Sequence, residues 1–238
     1  MLLQAALNGP WTKDDHPAVP VLADELARDA VACVAAGAGA VHLHPRDEHG
    51  RERLDAHVVD HVVTTVRDAC GVPVGVSTGA WIEGNIERRV GMLRSWSAPD
   101  YASVNVSEDG ALAVAEALID AGVGIEAGVW SIDDAQRLGD WALGGALTRV
   151  LVEPVDVARH DALACVQAIH HTLDRVGVLA PRLQHGDGEA TWVLIEDAVR
   201  RGLDTRVGLE DTQYVPDGAR AEGNEALVRA AARYLTSP

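Results

Sequence analysis

The feature that most constrains this chain is an order that repeats along it: a short β-branched apolar run, a polar or glycine turn, a helical pattern, then a glycine leading into the next run. The apolar runs span Leu2 to Leu7, Ala40 to His44, Val72 to Ser77, Tyr101 to Val106, Val123 to Glu126, Arg149 to Glu153, Arg182 to His185 and Thr205 to Glu210. Helical spacing connects Leu163, Val166, Ile169 and Leu173, then Trp192, Ile195 and Val199, and finally Leu227, Ala231 and Leu235. Gly37, Gly71, Gly122, Gly144, Gly177 and Gly202 stand where helices should stop, at the left-handed closing position that glycine fills at least cost. Alternating strands and helices dictate a parallel sheet with right-handed crossovers, and eight units close into a barrel. A doubly wound sheet would instead carry a Gly-x-Gly-x-x-Gly turn, which is missing here. The expected fold is a (β/α)₈ TIM barrel, one domain over residues 1–238.

A formal charge of −16 argues against nucleic acid or an acidic membrane surface as partner. No long uncharged apolar run and no basic leader are found, so a cytoplasmic protein is expected. Cys33, Cys70 and Cys165 lie far apart in helical patterns and read as packing residues. Lys13 is the only lysine, which disfavours Schiff-base chemistry deep in a site.

Barrel sites form at the C-terminal ends of the strands, so the polar residues ending the apolar runs are the candidates. They are Asn8, His42, His44, Ser77, Asn105, Glu126, Glu153, His185 and Arg206 with Glu210 and Asp211. The strongest signal is Val41-His42-Leu43-His44, because a two-residue period turns both imidazoles to one strand face. The same alternation puts Arg206, Gly208 and Glu210 on one face of strand 8, which closure sets one strand away from strand 2. His42, His44 and Glu210 are therefore expected to hold a divalent metal, zinc, with the open position that a catalytic site needs. Ser77, before Thr78-Gly79, reads equally as a substrate contact or a turn residue. Glu126 reads as a base or as a carboxylate held by an arginine. His185 opens a glycine-rich loop that could bind phosphate or merely turn in solvent.

These blocks resemble the β-keto acid cleavage enzymes, among them the 3-keto-5-aminohexanoate cleavage proteins. The likeness rests on Ala6-Leu7-Asn8-Gly9, Ala40 to Asp47, Val76-Ser77-Thr78-Gly79, Glu126, Arg206 to Asp211 and Asn224 to Val228. It implies a zinc-dependent exchange of acyl groups between a β-keto acid and acetyl-CoA, giving acetoacetate and a new acyl-CoA. It further implies that Arg206 and Asp211 form a catalytic pair and that Ser77 contacts the substrate; Ser77 and Glu126 stand as further catalytic candidates, and Asn8, Trp11 and Asn105 as substrate-binding ones. Members with amino-bearing substrates carry an acid just after the strand-1 turn; Trp11 stands here instead, pointing to a less cationic acyl end. A homo-oligomer is expected. A metal-dependent aldolase or hydrolase working without CoA, and a metal-binding barrel without catalysis, stay open on these residues alone.

Overall fold

The computed structural model describes residues 1–143 and 145–236. Its eight strands are β1 (Leu3–Ala6), β2 (Ala40–Leu43), β3 (Val74–Ser77), β4 (Tyr101–Asn105), β5 (Gly124–Val129), β6 (Leu147–Val152), β7 (Arg182–Gln184) and β8 (Asp204–Val207). All pair in parallel with their sequence neighbours, and β8 pairs back to β1 to close the barrel. Between and after them run α1 (Ala23–Ala36), α2 (Ala56–Cys70), α3 (Ile86–Leu93), α4 (Ala111–Ala121), α5 (Ile132–Gly139), α6 (Arg159–Arg175), α7 (Thr191–Arg201) and α8 (Asn224–Thr236). No helix among the described residues is long and apolar enough to cross a membrane.

Strand alternation decides what each residue does. Leu3, Ala5 and Leu7 of the β1 segment, with Val41 and Leu43 of β2, pack outward against Leu26 and Ala30 of α1 and Val59 and Val62 of α2. The alternate residues, Gln4, His42 and His44, are buried polar groups inside the barrel. Gly37, Gly71, Gly122, Gly177 and Gly202 all have positive φ where helices end, as their spacing predicts, while Gly144 lies outside the described residues. The predicted faces of the last helices need adjustment: Leu163 is 39% exposed, and α7 buries Leu194, Ile195 and Ala198, leaving Trp192 and Val199 half-buried.

Two strand boundaries matter for the site. β5 runs on through Ala127-Gly128-Val129 until Ser131 caps α5 by accepting from Asp134 N, so Glu126 sits inside the strand and not at its end. β8, in contrast, stops at Val207 and does not reach Glu210. The cause is Gly208, where a Cβ would stand 1.8 Å from the Ala6 carbonyl oxygen; only glycine passes so close to β1. The chain then turns, with Asp211 and Thr212 N–H both donating to the Gly208 carbonyl at 3.0 and 2.9 Å, and this turn carries Glu210 and Asp211 over the barrel mouth.

Candidate metal centre and the cavity around it

Nε2 of His42 and of His44 converge on Glu210 Oε1 at 3.8 and 3.6 Å, and the three groups offer donor atoms all within 4.8 Å of one another. Donors about 2.0–2.2 Å from a zinc ion at the tetrahedral angle stand roughly 3.3–3.6 Å apart; the His44–Glu210 pair falls at the upper edge of that range and the His42–Glu210 pair slightly beyond it. Among the described residues, Glu210 Oε2 is buried with no hydrogen-bond partner, which a cation would remedy. Two imidazoles and one carboxylate are a donor set of zinc type. Electrostatics act differently on each donor. Burial pushes His42 down to about 3, towards the neutral form that coordinates. Burial also acts downward on His44, but Glu210 and Glu52 outweigh it and hold a proton there up to about 9; a bound cation would displace that proton. Burial opposes the charge on Glu210, yet Arg206 and both imidazoles keep its carboxyl well below the ordinary range.

Glu52 was not legible as a site residue. The chain after β2 folds back in a tight turn in which Arg46 bridges Glu52, bringing Glu52 Oε1 to 3.3 Å from His44 Nδ1. Trp81 Nε1 donates to Glu52 Oε2 at 2.8 Å, and its ring stacks on His44 at 6.0 Å between centroids. A carboxylate behind a coordinating imidazole fixes its orientation and raises its basicity.

Beside this cluster, Arg206 Nη2 donates to both Glu210 Oε1 at 2.7 Å and Asp211 Oδ1 at 2.6 Å. Asp211 is raised above the usual aspartate value because burial outweighs the nearby guanidinium, making it a stronger base than an exposed aspartate. The opposite wall comes from β5 to β7. Glu153 accepts from Trp130 Nε1 at 2.9 Å and pairs with His185 Nε2 at 2.7 Å, leaving His185 Nδ1 3.8 Å from Asp211 Oδ1. His185 is buried and not a solvated turn residue. The cavity has a volume of about 340 Å³, and Leu151, Pro154 and Val155 are among its apolar lining residues.

Of the other predicted site residues, Ser77 and Asn105 line this cavity; Ser77 Oγ also accepts from Gly79 N, and Asn105 Nδ2 donates to Glu108. Three do not line it. Asn8, fully buried, spends its amide on the backbone of His44, donating to its carbonyl at 3.0 Å and accepting from its N–H at 2.8 Å. Trp11 is 39% exposed and its indole donates to the Glu210 carbonyl; Pro10 faces the cavity in its place. Glu126 lies below the rim, where Gln4 Nε2 donates to it at 2.9 Å and Arg149 pairs with it at 3.2 Å, the arginine-held alternative. Burial lifts its carboxyl to about 7 against the pull of Arg149.

The family model described as beta-keto acid cleavage enzyme matches residues 1–237. A 3-keto-5-aminohexanoate cleavage enzyme of Fusobacterium nucleatum subsp. nucleatum is 35% identical over 81 residues, 33% of this chain and 30% of that protein. One from Acetoanaerobium sticklandii is 28% identical over 107 residues, 44% and 38% of the respective chains. The matched segments thus take in well under half of these curated relatives. Among solved structures, apo ObcA superposes with a TM-score of 0.72 at 17% identity over 91% of this chain and 61% of that one. The 3-dehydroquinate dehydratase of Geobacillus kaustophilus HTA426 does so with 0.62 at 11% identity over 99% and 90%. At such identities these structures speak for the barrel alone. The family match over nearly the whole chain goes further, and with it the chain belongs to the β-keto acid cleavage enzymes.

Proposed function

We propose that this protein exchanges acyl groups between a β-keto acid and acetyl-CoA, giving acetoacetate and a new acyl-CoA, with zinc or a similar divalent ion held by His42, His44 and Glu210. The observation that carries the reading is the convergence of those three donors beside the Arg206–Asp211 pair in one cavity. Support of a more distant kind comes from ObcA, which has been solved in a ternary complex with a C4-CoA adduct and oxalate.

When bound, the ion supplies Lewis acidity towards the keto oxygen of the substrate. The rest falls to the chain. Asp211, desolvated and therefore more basic, takes the C2 proton, and Arg206 keeps that carboxylate aimed through its Nε and Nη2 contacts. The C2 carbon then forms a bond to the thioester carbonyl and the thiolate leaves; the thiolate returns to the original keto carbon, the old C–C bond breaks, and Asp211 gives its proton back to C2. Ser77 and Asn105 supply hydroxyl and amide groups at the cavity wall for the substrate carboxylate. Leu151, Pro154, Val155 and Trp130 offer the acyl chain an apolar bed, which fits a β-keto acid with a less cationic end. Trp81 and Trp130 add indole surface to the cavity lining.

A steady-state assay of a panel of β-keto acids, run with and without acetyl-CoA, tests the proposal. Acetoacetate and acyl-CoA formed in equal amounts, and only with acetyl-CoA present, is the expected result; turnover without it would replace the exchange with an aldolase or hydrolase reaction.

A further inference from the structure

Strand pairing around β1 ends before the candidate metal centre begins. On one side the last β1–β2 rung is Leu7 N–H to the His42 carbonyl at 2.9 Å; on the other the β1–β8 register ends at Ala5 opposite Val207, and Glu210 N–H reaches the Ala6 carbonyl only at 3.4 Å. The backbone beyond those points carries His44 and Glu210, two of the three proposed ligands. A donor set needs its ligands fixed to within a fraction of an ångström, and frayed strand ends do not provide that.

Two buried asparagines continue the ladder where the backbone leaves off. Asn8 holds both polar groups of the His44 backbone, as described above. Asn224, at the start of α8 and fully buried, works on the other side: its Oδ1 accepts from Leu209 N at 2.6 Å, and its Nδ2 donates to the Leu7 carbonyl at 2.8 Å. The same Nδ2 donates to Asp29 Oδ2 on α1 at 2.6 Å, so the carboxylate reinforces which end of the amide faces Leu209. Leu209 precedes Glu210 in the chain, and Leu7 precedes Asn8. Each amide side chain thus replaces a pair of rungs, one for each ligand segment, and neither faces the cavity.

We infer that Asn8 and Asn224 are positioning residues for the metal centre, acting as side-chain rungs that set His44 and Glu210 at ligand spacing from either side of β1. The inference rests on the metal reading above and assigns these asparagines no contact with ion or substrate. Asn8→Asp and Asn224→Asp are the sharpest variants, since each retains the accepting oxygen and loses the donating nitrogen. A control rung lies lower in the barrel, where Thr205 Oγ1 donates to the Gln184 carbonyl at 2.8 Å, away from the ligands.

The experiment measures zinc dissociation constants by chelator competition, well below the melting temperature, alongside Tm of the metal-free protein. Both aspartate variants should weaken zinc by about 10–100-fold, the usual cost of losing a supporting partner of a ligand, while Thr205→Val lowers Tm and leaves zinc affinity at the wild-type value. Should an aspartate variant fail to fold, Asn8→Ser and Asn224→Ser carry the same comparison. Wild-type zinc affinity in the folded asparagine variants would overturn the inference, as would an equal loss in Thr205→Val. Failure of the wild-type protein to bind zinc at all would instead overturn the metal reading, and the inference with it.

Discussion

On the β8–β1–β2 side of the cavity the groups that reach inward are backed by others: Glu52 behind His44, Asn8 on its backbone, and Arg206 across both Glu210 and Asp211. On the β5–β7 side the support is thinner. Glu153 is engaged by Trp130 and His185, but His185 Nδ1 has no hydrogen-bond partner among the described residues, and Leu151, Pro154 and Val155 complete the wall with apolar surface. The first wall is built to hold charges at fixed separations in a low dielectric, where an error in position is costly. The second presents more apolar area, which suits a side chosen by substrate shape.

Removing a ligand from the first wall should have the largest effect. Wild-type protein is expected to retain one ion per chain, and His42→Ala, His44→Ala and Glu210→Ala are each expected to purify without it, because two donors are too few. Elemental analysis of the four proteins decides it, and full occupancy in the variants would break the site assignment. Next come Arg206→Lys and Asp211→Asn, which should keep the metal and lose turnover by about 10²-fold or more, the usual scale for a positioned acid–base or electrostatic group. Lysine retains the charge and lacks the planar fork that spans two carboxylates, so it tests geometry and not charge. Turnover per zinc-loaded, folded molecule is the quantity to measure; near wild-type values would remove the pair from the chemistry.

For the second wall a smaller loss is expected. His185→Gln should keep the metal and reduce turnover about tenfold, in line with one hydrogen bond to a charged group at roughly 1.5 kcal/mol. A drop as large as that of Asp211→Asn would show that both walls take part equally in proton transfer and would erase the contrast. The smallest effect belongs to Glu126, beneath both. Its folded carboxyl is raised to about 7, so the folded chain binds this proton more tightly than the unfolded one does. The stability so gained is full below the ordinary glutamate value and is lost as pH rises through about 7. Glu126→Gln carries no such proton, and its Tm relative to wild type should climb by a few degrees between about pH 5 and pH 8. A difference in Tm that does not change with pH would mean that Arg149 compensates the carboxylate fully.

The contrast between the walls also explains what could be read from the chain. Barrel class, strand order and the pair His42 and His44 follow from periodicities of a few residues, which act locally. Glu210 was placed correctly beside them although the strand taken to carry it ends at Val207; the turn after Gly208 delivers it to the same place. The strand end expected at Glu126 shifts the other way, since β5 continues to Val129. A polar residue inside an apolar run looks like a strand end, and only the pairing of Glu126 with Ser103 and Arg149 shows that it lies mid-strand. Glu52 and Trp81 depend on loops folding back over the rim, and nothing in their immediate neighbours announces that, whereas Glu153 and His185 directly follow the paired strands β6 and β7 and were legible as strand ends. Asn8 and Trp11 sit at the right end of the barrel, yet their polar atoms are consumed by backbone groups, a matter of direction that spacing does not encode.

Gly208 has a consequence for how the chain reaches its native state. The contact with Ala6 that demands glycine is the seam between β8 and β1, the last strand and the first. Glu210 follows β8 and His42 lies on β2, with β1 between them, so the donor set is assembled only once the ends of the barrel have found each other, the strand pairing of greatest sequence separation and the one that closes the longest loop. An ion bound there would favour the closed ring over every open intermediate in proportion to its concentration. Metal uptake during refolding would then serve as a clock for ring closure, its rate reporting the final docking of β8 and not the formation of the helices.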